Sequence, residues 1–226
     1  MLKVRAKPYD YELDPKRTAL LLIDFQRDFL YRGGFGESLG NDVSKLQRAV
    51  EPTKKVLGEF RKRKLIIIHT REGHQSNLSD CPEAKRNRGN FRTRIGDKGP
   101  MGKILVRGEY GHELIDELKP REEEIVIDKP GKGSFYSTNL DGVLRSKKIK
   151  YLIITGVTTE VCVASTVREA NDRGYECLIL SDCVASYNEE FHKETLKIII
   201  SQGGIFGWIS DSKSLLKKLT NDPKNS

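Results

Sequence analysis

Short, nearly unbroken apolar runs alternate with longer amphipathic stretches along this chain. The runs fall at 18–24, 65–70, 124–128, 151–155, 176–182 and 204–209. Segments such as ALLLI and LIIIH leave no polar face, which suits strands covered on both sides. Between them the spacing predicts helices at about 42–63, 138–148, 160–174 and 188–202, with a last one at 211–219. Asn41 or Asp42 stands where the first helix needs an N-cap, and Gly174 stands just past the end of the third. Strand and helix in alternation imply an α/β fold, a three-layer α/β/α Rossmann-like sandwich on a mainly parallel sheet of six strands.

The stretch from Arg71 to about Gly111 breaks this rhythm. It is rich in Gly, Asn, Asp, Arg and Lys and carries Pro82 and Pro100, and a loop of that length in a compact domain is expected to pass over the strand ends and serve function. At 226 residues and 37% hydrophobic content, the chain is read as one domain over 1–226 with a frayed tail from about 220. No run approaches the ~20 apolar residues of a membrane span, and the first residues hold no apolar leader. Four cysteines (81, 162, 177, 183) without CxxC spacing read as reduced thiols, so a cytoplasmic protein without a membrane partner is expected.

The net charge of +8 lies in scattered Lys and Arg, in RKRK at 61–64, AKRNRGNFRTR at 84–94 and SKKIK at 146–150. The first and last sit at helix ends, where cations suit the dipole, so a solvated surface is expected rather than a nucleic-acid partner. The segment 84–94 is read as a basic loop near the mouth of a site.

Candidate chemistry gathers around Cys162. It follows the strand at 151–155 through Gly and Thr into the first turn of a helix, where free N–H groups and the dipole favour a thiolate and lower the thiol pKa. The alternative is a small buried hydrophobe. Asp24 and Lys129 fall at the carboxyl ends of two other predicted strands, and in open parallel sheets such ends share one rim. A carboxylate there can take the thiol proton and an ammonium can hold the thiolate.

LLIDFQRDF around Asp24, IDKPGKGSFYSTNLDGVLR after Lys129 and ITGVTTEVCVASTVREANDRGY around Cys162 resemble the three motifs of the isochorismatase-like cysteine hydrolases, from about Thr18 to about Asp211. The resemblance implies an Asp24–Lys129–Cys162 triad and an oxyanion hole from the backbone N–H groups of Thr158 and Cys162, with a cis peptide between Val157 and Thr158. HTREGH, GDKGPMG, LVRGEYG, DKPGKGSF, REANDRGYECL and SQGGIFG further resemble the biuret hydrolases within that family. That likeness implies hydrolysis of a carbon–nitrogen bond in a small linear ureide, biuret first, with triuret, ureidoacrylate, N-carbamoyl compounds and nicotinamide as alternatives. Phe29 and Phe135 are read as an apolar wall and Lys132 as reaching into the pocket, and the likeness places Gln202 there as an amide contact, although Gln202 also reads as an exposed helix-end amide. It also implies a homotetramer, for which the segment around Trp208 is a candidate interface unless that ring is core.

KPGKGS is not a P-loop, since Gly133 rather than Ser or Thr follows Lys132. Its glycines are read as letting the backbone approach a substrate. HTREGH is no HExxH motif, so no metal and no cofactor are expected. His69 reads as a satisfied strand-end histidine, and Arg71, Glu72 and His74 as ion-paired rim residues. A vinyl-ether hydrolase of isochorismatase type and a non-catalytic interaction module remain as rival readings, which Cys162 and the complete triad disfavour.

Overall fold

The computed structural model describes residues 1–88 and 93–221. The apolar runs form β1 (Thr18–Ile23), β2 (Ile66–Glu72), β3 (Ile125–Lys129), β4 (Tyr151–Val157), β5 (Glu176–Ala185) and β6 (Trp208–Ser210). They make one six-stranded sheet in the order β6-β5-β4-β1-β2-β3, with every neighbouring pair parallel. All six residues of β1 are buried, and they feed two cores. Leu20 and Leu22 face one side, where α1 (Val50–Lys62) and α5 (Ser212–Thr220) contribute Val56, Phe60, Leu215 and Leu219. Ala19, Leu21 and Ile23 face the other, against α2 (Leu140–Ser146), α3 (Ala164–Asp172) and α4 (Glu189–Gly204). Side chains on a strand alternate between faces, so a strand apolar throughout is what a sheet sandwiched by helices requires.

Three helix boundaries differ from expectation. The stretch 42–63 is broken: a single turn, Ser44–Gln47, precedes α1. Asp42 accepts from the Ser44 N–H at 3.0 Å, whereas the Asn41 side chain donates to the Gly36 carbonyl. The third stretch opens with a π-helical turn, Thr159–Val163, before α3 begins. Gly174 does follow α3 with a left-handed φ of +83°. The last strand starts at Trp208, because α4 ends in non-helical backbone at Ser201, Gln202 and Gly203 and the chain turns there.

An N-terminal ribbon pairs Leu2–Val4 with Tyr11–Leu13, and Lys7 exchanges two backbone hydrogen bonds with Ile209. The exposed edge of β6 is thereby covered, which removes a template for intermolecular pairing. Trp208 is half-buried against the rings of Tyr9 and Tyr11, so the ring belongs to this local packing. Between β2 and β3 the chain makes the expected excursion, with a short helix at Glu83–Arg86 and a ribbon of Lys98–Gly99 with Gly102–Lys103. Ile95, Ile104 and Leu105 give it a small core of its own, packed on Phe29 and Phe35. Residues 89–92 of the basic segment and 222–226 of the tail lie outside the described residues. No helix among the described residues is long and apolar enough to cross a membrane.

The strand order reverses beside β1. From β1 the chain builds outward through β2 and β3, then crosses to the other side of β1 for β4, β5 and β6. Such a switch point leaves a crevice outside the carboxyl ends of the two central strands.

Candidate active site

Each strand end at the switch point delivers one chemical group. Past β1, Asp24 takes a left-handed φ of 56°, a conformation Asp tolerates better than most residues, and its N–H bonds to the Thr70 carbonyl. Near the end of β4, the chain bends at Gly156, where φ is +136° and an added Cβ would lie 2.3 Å from the Ile23 carbonyl oxygen. Only glycine lets β4 pass β1 this closely. The Val157–Thr158 peptide is cis, and the π-helical turn after it carries Cys162. Thr166 donates from its hydroxyl to the Cys162 carbonyl at 2.7 Å and accepts the Ser134 N–H, fastening that turn to the loop after β3.

The groups meet in the interior. Acidic and thiol atoms of Asp24, Glu72 and Cys162 all lie within 4.8 Å of one another. Lys129 Nζ stands among them, 2.7 Å from Asp24 Oδ2 and 3.9 Å from Glu72 Oε2, and donates to the carbonyls of Gly131 and Lys132. Its ammonium supplies positive charge among these acidic groups. Thr70 donates to the other Asp24 oxygen at 2.7 Å. Glu72 Oε2 accepts from the Cys162 thiol at 3.4 Å, and its Oε1 meets Lys132 at 2.7 Å and Lys85 at 2.9 Å. The Gln26 amide bonds to the backbone N–H and C=O of Glu72 and so fixes that carboxylate in place.

One sequence expectation meets an opposing effect here. Burial pushes the Cys162 thiol well above its usual range, and the Asp24 and Glu72 charges push the same way against Lys129 and Lys132. Burial and the two carboxylates thus oppose what the N-terminus of the turn would favour at this sulfur. Glu72 resists burial and is held well below the carboxylate range by Lys129, Lys132 and Lys85. Burial works against the Lys129 charge too, but Asp24, Cys162 and Glu72 shift it upward overall.

Cys162 opens onto a cavity of about 600 Å³. Phe29, Lys132 and Thr158 line it as expected, together with Glu72, Glu160 and Tyr187. Phe135 does not: it is 5% exposed and stacks on Tyr175 at 5.8 Å within the core. Gln202 does not either, because it sits exposed on left-handed backbone at the end of α4, outside the cavity lining. At Gly133 of KPGKGS an added Cβ would fall 2.1 Å from Glu169 Oε2, whose carboxylate accepts the Phe135 N–H, so packing also asks for a small residue there. Arg71 pairs with Asp128 and Glu113, His74 with Asp80, and His69 with Glu124. The sequence reading missed Thr70 and Lys85 and left Glu72 on the rim. The signal for Thr70 and Glu72 was their position at the carboxyl end of β2, beside Asp24.

The isochorismatase domain matches residues 18–213. The ureidoacrylate amidohydrolase RutB of Acinetobacter baylyi is 32% identical over 94% of this chain and 88% of its own length. That of Klebsiella pneumoniae subsp. pneumoniae is 29% identical over 97% of this chain and 94% of its own. A cysteine hydrolase from Pseudomonas syringae pv. phaseolicola superposes with a TM-score of 0.79 at 23% identity, covering 97% of this chain and 98% of that one. N-carbamoylsarcosine amidase from Thermoplasma acidophilum gives 0.67 at 24% identity, over 87% and 96%. The two solved structures share the fold.

Proposed function

We propose, from the premise that the chain belongs to the isochorismatase family and is an amidohydrolase of non-peptide carbon–nitrogen bonds, that its nucleophile is Cys162 and its substrate a small linear ureide. The observation that carries this is the meeting of Asp24, Lys129 and Cys162 in the interior at the strand ends, where Cys162 opens onto the cavity. Asp24 takes the proton from the thiol as sulfur attacks the amide carbonyl. Lys129 holds the Asp24 carboxylate in position and offsets the negative charge that moves onto sulfur. The N–H groups of Cys162 and Thr158 take the oxyanion, as backbone donors at a turn do in acyl transfer. Protonated Asp24 returns its proton to the departing ammonia. It then deprotonates a water, which attacks the thioester and frees the sulfur.

Within the linear ureides we place biuret first, on the motif likeness around HTREGH, DKPGKGSF and SQGGIFG. Phe29 forms an apolar wall, and Lys132 binds a ureide carbonyl from its seat on Glu72. With Gln202 outside the cavity, the margin over a ureidoacrylate-type substrate narrows, and the similarity to ureidoacrylate amidohydrolases supports that second reading. We place the enzyme in the cytoplasm on its four free cysteines. Ammonia release from biuret, triuret, ureidoacrylate, N-carbamoyl amino acids and nicotinamide at equal concentration tests the assignment. The highest kcat/KM should fall on a linear ureide, and a preference for nicotinamide, or no release from any of these, would overturn it.

A further inference from the structure

Lys85 comes from the short helix at Glu83–Arg86 in the excursion between β2 and β3, yet it reaches the interior of the site. Its ammonium lies 2.9 Å from Glu72 Oε1 and donates to the Pro130 carbonyl, tying the excursion to the ends of β2 and β3. Its side chain is 19% exposed and lies outside the cavity lining, so it is placed to act on the site without touching substrate.

The connected charges are unevenly matched. Two carboxylates, Asp24 and Glu72, are joined by three ammonium groups, Lys129, Lys132 and Lys85. With a neutral thiol the cluster carries an excess positive charge, and with a thiolate it is balanced. Unbalanced charge in a dry interior is costly, so the third lysine shifts the preference toward the ionised sulfur. Other titratable groups line the same cavity: Glu160 on the same turn, Asp42, which accepts from Ser44, Lys45, which donates to the Tyr187 carbonyl, and Tyr187, whose hydroxyl donates to the Phe29 carbonyl. Lys85 itself stands near His74 and Cys81, neither of which carries a formal charge to cancel it when neutral.

We propose that Lys85 is a positioning residue whose ammonium, docked on Glu72, supplies the third positive charge that balances the site when Cys162 is a thiolate. It acts through Glu72: Lys85 shares the Glu72 Oε1 oxygen with Lys132, so the carboxylate that accepts from the thiol through Oε2 is answered by two ammonium groups at its other oxygen. The basic excursion thus serves the nucleophile by way of Glu72. This rests on Cys162 being the nucleophile, but its test reads the thiol itself and not turnover.

The experiment is the pH dependence of iodoacetamide alkylation at Cys162, followed on the Cys162 peptide by mass spectrometry so that Cys81 is read separately. Lys85→Met should move the midpoint upward by about one pH unit, and Lys85→Gln, which keeps a hydrogen-bond donor for Glu72, should do the same. Lys85→Arg should stay near wild type. In turnover, the Met and Gln variants should lose kcat with little change in KM. In a Glu72→Gln background, Lys85→Met should add no further shift. Folded Lys85→Gln with a wild-type midpoint would overturn the proposal, even if Lys85→Met failed to fold. So would an undiminished Lys85→Met shift in the Glu72→Gln background. Loss of turnover in Cys162 variants bears on the nucleophile alone, so the two ideas fail separately.

Discussion

Cys162 shows how burial decides chemistry at a single position. A thiol at a turn N-terminus would ordinarily gain acidity, but here complete burial beside two carboxylates pushes it the other way. In the proposed mechanism Asp24 takes the proton, and Asp24 has partners of its own. Cys162→Ala should fold and lose turnover, and Cys162→Ser should do the same because a hydroxyl is far less acidic than a thiol; ammonia release alongside a circular dichroism melt checks both. Thr70 donates to the Asp24 oxygen that Lys129 leaves free. A hydrogen bond to a charged group is worth about 1.5 to 3 kcal/mol, so the near-isosteric Thr70→Val should lower kcat roughly ten- to hundredfold with KM little changed. Steady-state kinetics with an unaltered kcat would remove Thr70 from the machinery. At this scale Asp24, Lys129 and Cys162 were legible because charged or nucleophilic groups stood out at the ends of apolar runs. Lys85 was not, since its side chain reaches the site from a loop whose path no periodicity encodes. Phe135 and Gln202 were misplaced because a motif carries no information about which way a side chain turns.

Strands were easier to read than helix ends. The β1 and β4 runs are fully buried, and such runs announce themselves, whereas the break before α1, the π-helical turn around Cys162 and the bend ending α4 arise from tertiary packing against the strand ends. Gly156 marks where β4 passes closest to β1. Gly156→Ala combines a disfavoured φ with an unavoidable clash, and should cost about 1 to 3 kcal/mol or more, seen as a lower urea midpoint together with lost activity. At the opposite end of the sheet, Glu124 joins β3 to His69 of β2 and Arg61 of α1. Burial opposes its charge, but hydrogen bonds with His69 and Arg61 hold its carboxyl down to about 2, from an ordinary 4.5. A depressed carboxyl stabilises the fold at pH above the ordinary value, and that contribution is lost as pH falls from there through about 2. Urea melts across this window should show the wild-type midpoint falling, and Glu124→Gln, weaker at neutral pH, should flatten that fall.

Across the whole molecule, the order of the six strands explains why residues distant in sequence meet: the reversal beside β1 brings the ends of β1, β2, β3 and β4 to one crevice. That much follows from alternation of strand and helix, while the strand order itself does not. One surface stays apolar, with Phe191 at 54%, Ile198 at 46% and Ile205 at 45% exposed along and just past α4. Phe191 also lines the cavity, so a second copy of the chain seated there would border the site. We expect a homotetramer by sedimentation velocity, and a Phe191→Glu, Ile198→Glu variant should sediment as a smaller species; a wild-type monomer at working concentration would contradict this. The most direct measurement of all is rapid-quench mass spectrometry of the Cys162 peptide during turnover of the best ureide. A transient mass increment equal to the acyl fragment left after loss of ammonia is expected on Cys162, rising and decaying at rates compatible with kcat. Turnover with full ammonia release and no adduct on Cys162, retained in Cys162→Ala, would contradict the thiol mechanism.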